Sequence, residues 1–453
     1  MTEPILNVSS RLRTLDPMVM QHIVDLNVWA VKEGLQGTAV ERLFDELCHR
    51  LIIAGVPLWH AFAGMRTLHP QWGAYGYTWQ RHLNAMELTQ VERSHLIDRD
   101  WLTTPFAYLV EQTKLPDVPD EVSLRRRLAG PEARLDFPIL KTLAAAGATD
   151  YLAYLRGFGV DGDASRGSGV VYSFATDRLD GFSENDLVVL HSVLPAISLA
   201  VMAQASHTIA ASLLGAYLGA DPGQRVHAGA IERGSVETIR AVLWFADIRG
   251  FTPIADAWPG PVVIDLLDGV FETLAASLRP RGGQVLKFLG DGMLAILPFE
   301  PQSQRETCRH ALDAAAEAMA ALEALNLGRS EAGKPTAAVD LALHCGEVLY
   351  GNVGAVDRLD FTVIGPAVNE VARIEALCEP LDRKVLVSAE FAAAAGDTGR
   401  LESLGRHTLR GVREAREIFA LLLEDGPATA SRHSDERGSV VETEFGVPST
   451  VQP

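Results

Sequence analysis

The chain has few cysteines and no long uninterrupted apolar run. Its four cysteines are far apart in the sequence and form no CxxC pair, which argues against a disulfide framework or a structural zinc site and favours a reducing compartment. The longest apolar stretch, Leu187–Ala205, is interrupted by polar residues and Pro195, so it predicts a buried or paired helix and no membrane span. The first residues are acidic and polar where a secretion signal needs a basic start and an apolar core. We therefore expect a cytoplasmic protein.

Basic residues are scarce relative to acidic ones. In 453 residues, 40 lysines and arginines against 58 aspartates and glutamates leave a formal net charge of −18. Such a chain has no general attraction for a phosphate backbone or an anionic lipid surface, so we expect neither nucleic acid nor a membrane as a partner. The 47% hydrophobic and 22% charged residues are typical of a folded protein, and the length predicts two or three domains. An anionic small ligand would need a positive site built locally.

Composition and periodicity divide the chain into four segments. The first combines helical and strand-like patterns, the second is a linking segment, the third alternates strand-like and helix-like runs, and the last is rich in Pro, Ser, Thr and Glu. Their ranges are 1–204, 205–237, 238–424 and 425–453. We expect the last segment to be a disordered tail, because it has too few apolar residues to form a core.

The third segment has the clearest order of elements. Ile239–Phe245 is a compact strand-like run, and Pro261–Leu278 has apolar residues at helical spacing. Two more strands are expected around a Gly-Asp-Gly turn, at Gln284–Lys287 and Met293–Leu297. This order predicts an α/β (α+β) sandwich with helices on one face of an antiparallel sheet.

The linking segment is expected to contain a helix from Ala205 to Leu218. Gly219, Asp221, Pro222 and Gly223 should end that helix. A helix that leaves one domain and breaks just before the next could carry movement between them, and a plain connection is the alternative.

The first segment shows helical patterning around Pro17–Leu51, followed by short strand candidates at Ile52–Val56 and Trp59–Ala63. Its second half has a strand ending in Phe-Ala-Thr and then Gly-Phe-Ser-x-x-Asp-Leu at the start of a helix, with Ser183 as the N-cap. This half resembles the bacterial GAF sensor module. The sequence does not identify a signal: the aromatic residues between Trp59 and Trp79 suit a core or a ligand pocket.

Two histidines in that region, His60 and His69, could ligate haem or a metal, or could be ordinary packed or surface residues. Cys48 lies in a helical pattern and is expected to be a buried small hydrophobe.

Two aspartates stand where strands are expected to end. Asp247 follows the buried run of AVLWFADIRGFT and precedes a turn and a helix, whose free amides favour anions. Asp291 lies in the glycine-flanked turn of VLKFLGDGMLA. A single strand-end aspartate is commonly a cap or turn residue. Two carboxylates at the tips of adjacent strands could together hold divalent metal ions and a polyphosphate.

With these phrases the third segment resembles the class III nucleotidyl cyclases. The matching phrases follow the family order: FADIRGFT at 245–252, KFLGDG at 287–292, GNVG at 351–354, FTVIG at 361–365 and VNEVAR at 368–373. The resemblance implies a ferredoxin-like cyclase sandwich. One departure is Pro366, where the family usually has Asp or Asn, but proline at a first helical position suits a helix start.

The resemblance also implies roles for single residues. Two Mg²⁺ or Mn²⁺ ions per site would be held at Asp247, Ile248 and Asp291. Asn369 and Arg373 would stabilise charge on the reacting phosphoryl group, four residues apart on one helix face. Arg410 would contact the terminal phosphates.

The remaining two roles concern the base. Lys287 and Thr362 would read the purine, since a lysine can donate to adenine N1 and a threonine can accept from the exocyclic amine. Guanylate cyclases of the family usually carry an acidic residue and then a small polar or thiol residue at these positions. The pair therefore implies ATP as the substrate.

The family forms its active sites between two catalytic domains, and this chain has one. The resemblance thus implies a homodimer with two equivalent sites, in which the first segment regulates how the catalytic halves meet. The implied function is an adenylate cyclase that converts ATP to 3′,5′-cyclic AMP and pyrophosphate.

Two alternatives to that function stay open: a guanylate cyclase and an inactive nucleotide-binding regulator. The regulator is disfavoured because the chain retains the metal-binding, base-reading and charge-stabilising residues of the family, namely Asp247, Asp291, Lys287, Thr362, Asn369 and Arg373. A diguanylate cyclase is disfavoured, because the hairpin reads Leu-Gly-Asp-Gly instead of Gly-Gly-[Asp/Glu]-Glu-Phe.

Overall fold

The computed structural model describes residues 12, 15–83, 85–95, 99–113, 121–158, 169–299, 304–411 and 414–423. The chain forms two compact units. The first unit is Met1–Val236 with Gly351–Thr362, and the second unit is Glu237–Tyr350 with Val363–Pro453. The predicted tail lies outside the described residues.

The first unit contains a six-stranded sheet and helices on both of its faces. Its helices and strands are α1 (Pro17–Gln36), α2 (Val40–Ile53), β1 (His60–Arg66), β2 (Trp72–Gln80), β3 (Ala85–Glu92), α3 (Arg99–Leu102), α4 (Pro105–Thr113), β4 (Glu121–Arg127), α5 (Pro138–Ala145), β5 (Asp150–Gly157), β6 (Gly169–Thr176), α6 (Glu184–Leu218) and α7 (Ala220–His227). The strand order is β3-β2-β1-β6-β5-β4, and neighbouring strands are antiparallel.

The two faces of this sheet bury different helices. Apolar side chains of α1, α2 and α6 share one core with β1, β5 and β6. Those of α4 and α5 pack on the other face. The predicted strand at Ile52–Val56 is wrong: α2 continues to Ile53, because Phe44, Leu47 and Leu51 recur at helical spacing and are buried on one side. Cys48 is also buried on α2, as predicted.

The aromatic and histidine candidates of this unit lie in different surroundings. Trp79 is buried in the core that contains α2. Burial lowers the pKa of His60 to about 4, so this imidazole is neutral near pH 7. His69 Nδ1 accepts hydrogen bonds from the backbone amides of Gln71 and Trp72, at 3.1 and 3.2 Å. His69 therefore stabilises the β1–β2 turn.

The Gly-Phe-Ser phrase before α6 has a clear physical role. Asp150 is fully buried and accepts hydrogen bonds from Arg125 at 2.7 Å and from the Phe182 amide at 3.0 Å. Gly181 has φ +69°, and a Cβ there would lie 2.6 Å from the Asp150 carboxylate. Glycine is therefore required where this turn crosses the end of the sheet. The predicted N-cap is confirmed, since Ser183 and Asp186 form a capping box.

The long helix α6 runs without a break from Glu184 to Leu218, so the expected linker helix is its C-terminal half. Its buried residues end at Ala205, where the helix leaves the core. The predicted burial of Leu187–Ala205 is confirmed, and the interrupting residues His191 and Ser198 are buried with it. By length and composition α6 could also cross a membrane, and 67% of its most apolar 18-residue window is buried inside the structure.

The residues after α6 do not simply end it, as the sequence predicted. Gly219 interrupts the helix, but Asp221, Pro222 and Gly223 belong to α7. Pro222 is tolerated because the first turn of a helix has no use for its amide. A Cβ on Gly223 would lie 2.6 Å from the Gly215 backbone nitrogen, so the glycine lets α7 pack directly on α6.

The second unit is a layered α/β structure, and the predicted mixed α/β fold class is confirmed. Its elements are β7 (Val236–Arg249), α8 (Phe251–Ala257), α9 (Gly260–Leu278), β8 (Gln284–Leu289), β9 (Gly292–Pro298), α10 (Gln304–Glu331), β10 (Ala338–Gly354), β11 (Leu359–Ile364), α11 (Pro366–Glu375), β12 (Val385–Ser388), α12 (Ala389–Ala395), β13 (Leu401–His407) and β14 (Arg416–Leu421).

The sheet of this unit has the order β13-β14-β12-β10-β7-β9-β8, and β11 pairs with β10. The β10–β12 pair departs from the expected antiparallel arrangement, since these two strands are parallel. The chain between them is a crossover connection that contains β11 and α11, whereas a hairpin would make them antiparallel.

Alternation along the strands of this sheet determines which face each side chain occupies. Val242, Trp244 and Ala246 of β7 share a core with α9, α10 and α12. Asp247 therefore points to the opposite face of the sheet, because successive side chains of a strand alternate. On β10 the same alternation leaves Asp340 and His344 on that opposite face, since Val339, Leu341, Leu343 and Cys345 belong to the core. Cys345 Sγ lies 3.4 Å from Cys308 Sγ, and both are free thiols.

Candidate active site

Asp247 and Asp291 are brought together by the β7–β9 pairing. Asp247 lies opposite Gly292 in the register, so Asp291, the preceding residue, is in the adjacent turn. A Cβ on Gly292 would lie 2.9 Å from Asp247 Oδ1. Glycine at 292 is thus what lets the carboxylate of Asp247 sit against the neighbouring strand.

Burial and the charge of Asp291 both act on the Asp247 carboxylate. The pKa of Asp247 is raised to about 6, first by burial and then by the negative charge of Asp291. The backbone amide of Ile248 donates to the Asp247 carboxylate, which lowers the pKa against these larger effects. The Ile248 side chain is itself buried, so this residue can offer a metal only its backbone.

Arg249, two residues after Asp247, is engaged in an ion pair with another carboxylate. Arg249 donates to Asp340 from Nε at 2.9 Å and from Nη2 at 2.5 Å, and Asp340 is buried. This two-point ion pair holds the end of β7 against β10 and leaves Arg249 unable to neutralise Asp247. The Asp247–Asp291 pair is an excess of negative charge formed by hard oxygen ligands, which fits the binding of divalent metal ions.

Glu375 is a further acidic residue of this site that the sequence analysis missed. It lies in the last turn of α11, and its pKa is raised to about 7 by burial and then by the charges of Asp247, Asp340 and Asp291. The sequence offered no distinguishing signal, because a glutamate next to the buried stripe of a helix is ordinarily solvated.

Helix α11 carries Asn369 and Arg373 one turn apart. Pro366 occupies its first turn, as expected, and Ala367, Val371 and Ile374 form its buried stripe. Asn369 is exposed and Arg373 half-buried. A Cβ on Gly411 would lie 3.7 Å from Arg373 Nη2, so the structure places the Arg373 guanidinium beside the turn that carries the exposed Arg410.

The two predicted base-reading residues lie on separate strands. Lys287 is half-buried on β8, opposite Leu294 of β9 and four residues before Asp291. Thr362 is half-buried on β11 and belongs to the segment that groups with the first unit.

The Gly-Asn-Val-Gly phrase is structural in the first unit. Asn352 is buried, and its side chain donates to the Ala230 carbonyl at 2.7 Å. Its backbone pairs with Gly234 and Ser235 at 2.9 and 3.0 Å. A Cβ on Gly351 would lie 2.2 Å from the Ser235 carbonyl oxygen. The phrase therefore attaches the segment after α7 closely to the end of β10.

Comparison with known proteins identifies the catalytic segment. Residues 235–422 match the family of adenylate and guanylate cyclase catalytic domains. An adenylate cyclase of Anabaena cylindrica is 32% identical over 162 residues, which are 35% of this chain and 31% of that protein. Adenylate cyclase 1 of Rhizobium meliloti (strain 1021) is 27% identical over 178 residues, 39% of this chain and 27% of that protein. The chain thus spans less than a third of the length of these relatives.

Solved structures show the same partial likeness. A bacterial light-regulated adenylyl cyclase matches with a TM-score of 0.43 and 25% identity, over 51% of this chain and 64% of that one. The guanylyl cyclase Cya2 matches with a TM-score of 0.37 and 25% identity, over 43% of this chain and 97% of that one.

The fold, the paired carboxylates and the family match define the class of the second unit and its adjoining strands. Residues 235–422 carry an adenylate and guanylate cyclase catalytic domain. Proteins of this class are cyclases of the lyase type and generally use divalent metal ions, which agrees with the carboxylates found at the end of β7.

The burial of Asp247 and its repulsion by Asp291 have a measurable consequence. Folding raises the pKa of Asp247 from 3.8 to about 6, so its ionised form costs stability at pH values above about 6. The cost fades as the pH falls towards 3.8, where the carboxyl is protonated in both states. We expect Asp247→Asn to raise the unfolding free energy near neutral pH by on the order of 1 kcal/mol, a value reduced for solvent screening of this half-exposed group.

Urea unfolding with EDTA at about pH 7.5 and about pH 4 measures this gain. Asp256→Asn, at an exposed position of α8, is the matched control and should leave the unfolding free energy unchanged at both pH values. A gain of equal size at both pH values would contradict the electrostatic origin.

Proposed function

We propose that this chain is an adenylate cyclase that converts ATP to 3′,5′-cyclic AMP and pyrophosphate. The observation that carries the proposal is the pair of uncompensated carboxylates, Asp247 and Asp291, held side by side at the end of β7 within a cyclase catalytic domain. The reaction is an intramolecular attack of the ribose 3′-hydroxyl on the α-phosphorus.

Asp247, Asp291 and the Ile248 backbone would hold two Mg²⁺ or Mn²⁺ ions. When bound, the ions lower the pKa of the attacking hydroxyl and neutralise the triphosphate. The chain's own contribution is to hold the two carboxylates close together before the ions arrive. The Arg249–Asp340 ion pair and the absence of a Cβ at Gly292 both serve this arrangement.

Asn369 and Arg373 would meet the charge that develops on the phosphoryl oxygens. An amide donor and a guanidinium one helical turn apart can reach the same group, since residues at i and i+4 share a helix face. Arg410, in the turn beside the Arg373 guanidinium, would add a second positive charge for the terminal phosphates.

The choice of ATP rests on Lys287 and Thr362. The ammonium group of Lys287 suits adenine N1, and the hydroxyl of Thr362 suits the exocyclic amine. The similarity to adenylate cyclases of Anabaena cylindrica and Rhizobium meliloti supports the same choice.

Product identification tests the function. Purified full-length protein with Mn²⁺ is expected to form cyclic AMP from ATP, and chromatography against standards identifies the product. Asp247→Ala should abolish product, because one metal ligand is lost, whereas Asp256→Ala should retain it. Turnover of GTP alone would replace this proposal with a guanylate cyclase, and no turnover of either nucleotide would favour a nucleotide-binding regulator.

We further propose that the active enzyme is a homodimer, in which one chain supplies Asp247 and Asp291 and the other supplies Asn369 and Arg373. The class of the catalytic domain and the single copy of it in this chain support this arrangement.

Mixing two inactive variants tests the shared site. Asp247→Ala and Arg373→Ala should each be inactive, but a mixed dimer contains one intact site. Random exchange of chains in an equal mixture makes about half of the dimers mixed ones, each with one intact site out of two. The mixture should therefore recover about a quarter of the wild-type rate. Mixing Asp247→Ala with Asp291→Ala is the control, because both changes fall in the same half-site. Recovery in the control mixture, or none in the test mixture, would contradict a site shared in this way.

Regulation by the first unit is the last part of the proposal. The half of α6 beyond Ala205 leaves the core, and Asn352 joins the segment after α7 to β10, the strand that pairs with β11 and its Thr362. A change in the first unit could therefore reach the base-reading strand. The signal itself is an unidentified ligand or stimulus.

Deletion of residues 1–204 tests this coupling, because the cut falls where α6 leaves the core. The rate of cyclic AMP formation, measured over a range of protein concentrations, should then depend on concentration differently from that of the full chain. Identical behaviour of the two proteins would contradict regulation through the first unit.

A further inference from the structure

A cluster of metal-ligating side chains lies in the second unit at positions that the cyclase chemistry does not use. His344 of β10, Glu370 of α11 and Glu390 of α12 bring one ligand atom each to within 4.8 Å of one another. The three residues come from three separate elements, so the cluster joins them at one point.

The burial and hydrogen bonding of His344 suit a metal ligand. His344 is buried, with 4% of its surface exposed, and its Nδ1 lies 2.8 Å from Ser388 Oγ. Ser388 is fixed in turn, because it caps α12 by accepting from the Phe391 amide at 3.1 Å. With Nδ1 held in this way, Nε2 is the ring nitrogen that would bind a metal ion. A histidine whose one nitrogen is held by an outer partner while the other binds the ion is the usual arrangement of a metal ligand.

The glutamates are held by a cation that does not fit them well. Arg416 lies 3.4 Å from Glu370 through Nε and 3.7 Å from Glu390 through Nη1. The closer contact lacks hydrogen-bond geometry, so Glu370 Oε1 and Arg416 Nε are both buried without a hydrogen bond among the described residues. Unpaired buried polar atoms are costly, and a better-fitting cation would remove that cost.

We infer that His344, Glu370 and Glu390 form a binding site for a divalent transition-metal ion of the zinc class, in competition with the guanidinium of Arg416. One imidazole and two carboxylates, with water as a fourth ligand, are a donor set that Zn²⁺ accepts. Ligand atoms of a tetrahedral zinc site lie about 3.4 Å apart, so the cluster must contract. Glu390 and Arg416 can move, because their side chains are 43% and 40% exposed.

Binding there would fix α11, which also carries Asn369 and Arg373, to β10 and α12. The site is separate from the Asp247–Asp291 pair and does not depend on the proposed cyclase activity.

Zinc binding to the full-length protein tests the inference. Calorimetric titration with Zn²⁺ is done without nucleotide and with excess Mg²⁺, which occupies the carboxylate site of the β7 end. Glu390→Gln should weaken binding by about tenfold or more, because a direct ligand is lost. Glu402→Gln is the matched control, since Glu402 is also a half-exposed partner of an arginine in this unit.

Arg416→Gln distinguishes the inference from general zinc binding. Removing the competing guanidinium should tighten Zn²⁺ binding, whereas most surface changes would leave it unaltered. Co²⁺ in place of Zn²⁺ gives a visible spectrum that reports direct coordination, and Glu390→Gln should change that spectrum. Equal affinity in wild type and Glu390→Gln, or weaker binding in Arg416→Gln, would overturn the assignment.

Discussion

The arrangement of the catalytic unit depends on a repulsion that the fold holds in place. Asp247 and Asp291 lie side by side, and the one arginine of the adjacent sequence, Arg249, is bound instead to Asp340. Burial of Trp244 and its neighbours on the packed face of the sheet fixes β7 firmly enough to tolerate this charge. The helix-covered core therefore supplies stability that offsets the repulsion between the two carboxylates on the opposite face. Such an offset is usual where a site must bind cations.

Much of the catalytic unit could be predicted because its local signals agree with its fold. The apolar run before Asp247, the helical spacing of Pro261–Leu278 and the glycine-flanked turn at Asp291 each matched one element of the structure. Period-2 and period-3.6 patterns depend only on neighbouring residues, so they can be read from one sequence. The pairing of two strand-end aspartates followed from the same patterns.

Other features depend on contacts between residues distant in the sequence. Glu375 joins the acidic site, and Cys308 meets Cys345, only because the sheet brings separate elements together. The strand expected at Ile52–Val56 failed for a related reason: a short apolar run suits a strand or a helix end equally, and packing against α6 decided between them. The sequence could not show that one helix, α6, serves both as core and as linker.

The contact between Gly223 and the Gly215 backbone determines how closely α7 packs on α6. Because Gly223 has no side chain, the backbone of α7 lies directly against the backbone of α6 at Leu214 and Gly215, and any larger residue at position 223 would press its Cβ into α6. The segment that follows α7 is in turn bonded to Asn352 through the Ala230 carbonyl. A single glycine thus keeps the chain in continuous close contact across the position where the sequence alone suggested a break.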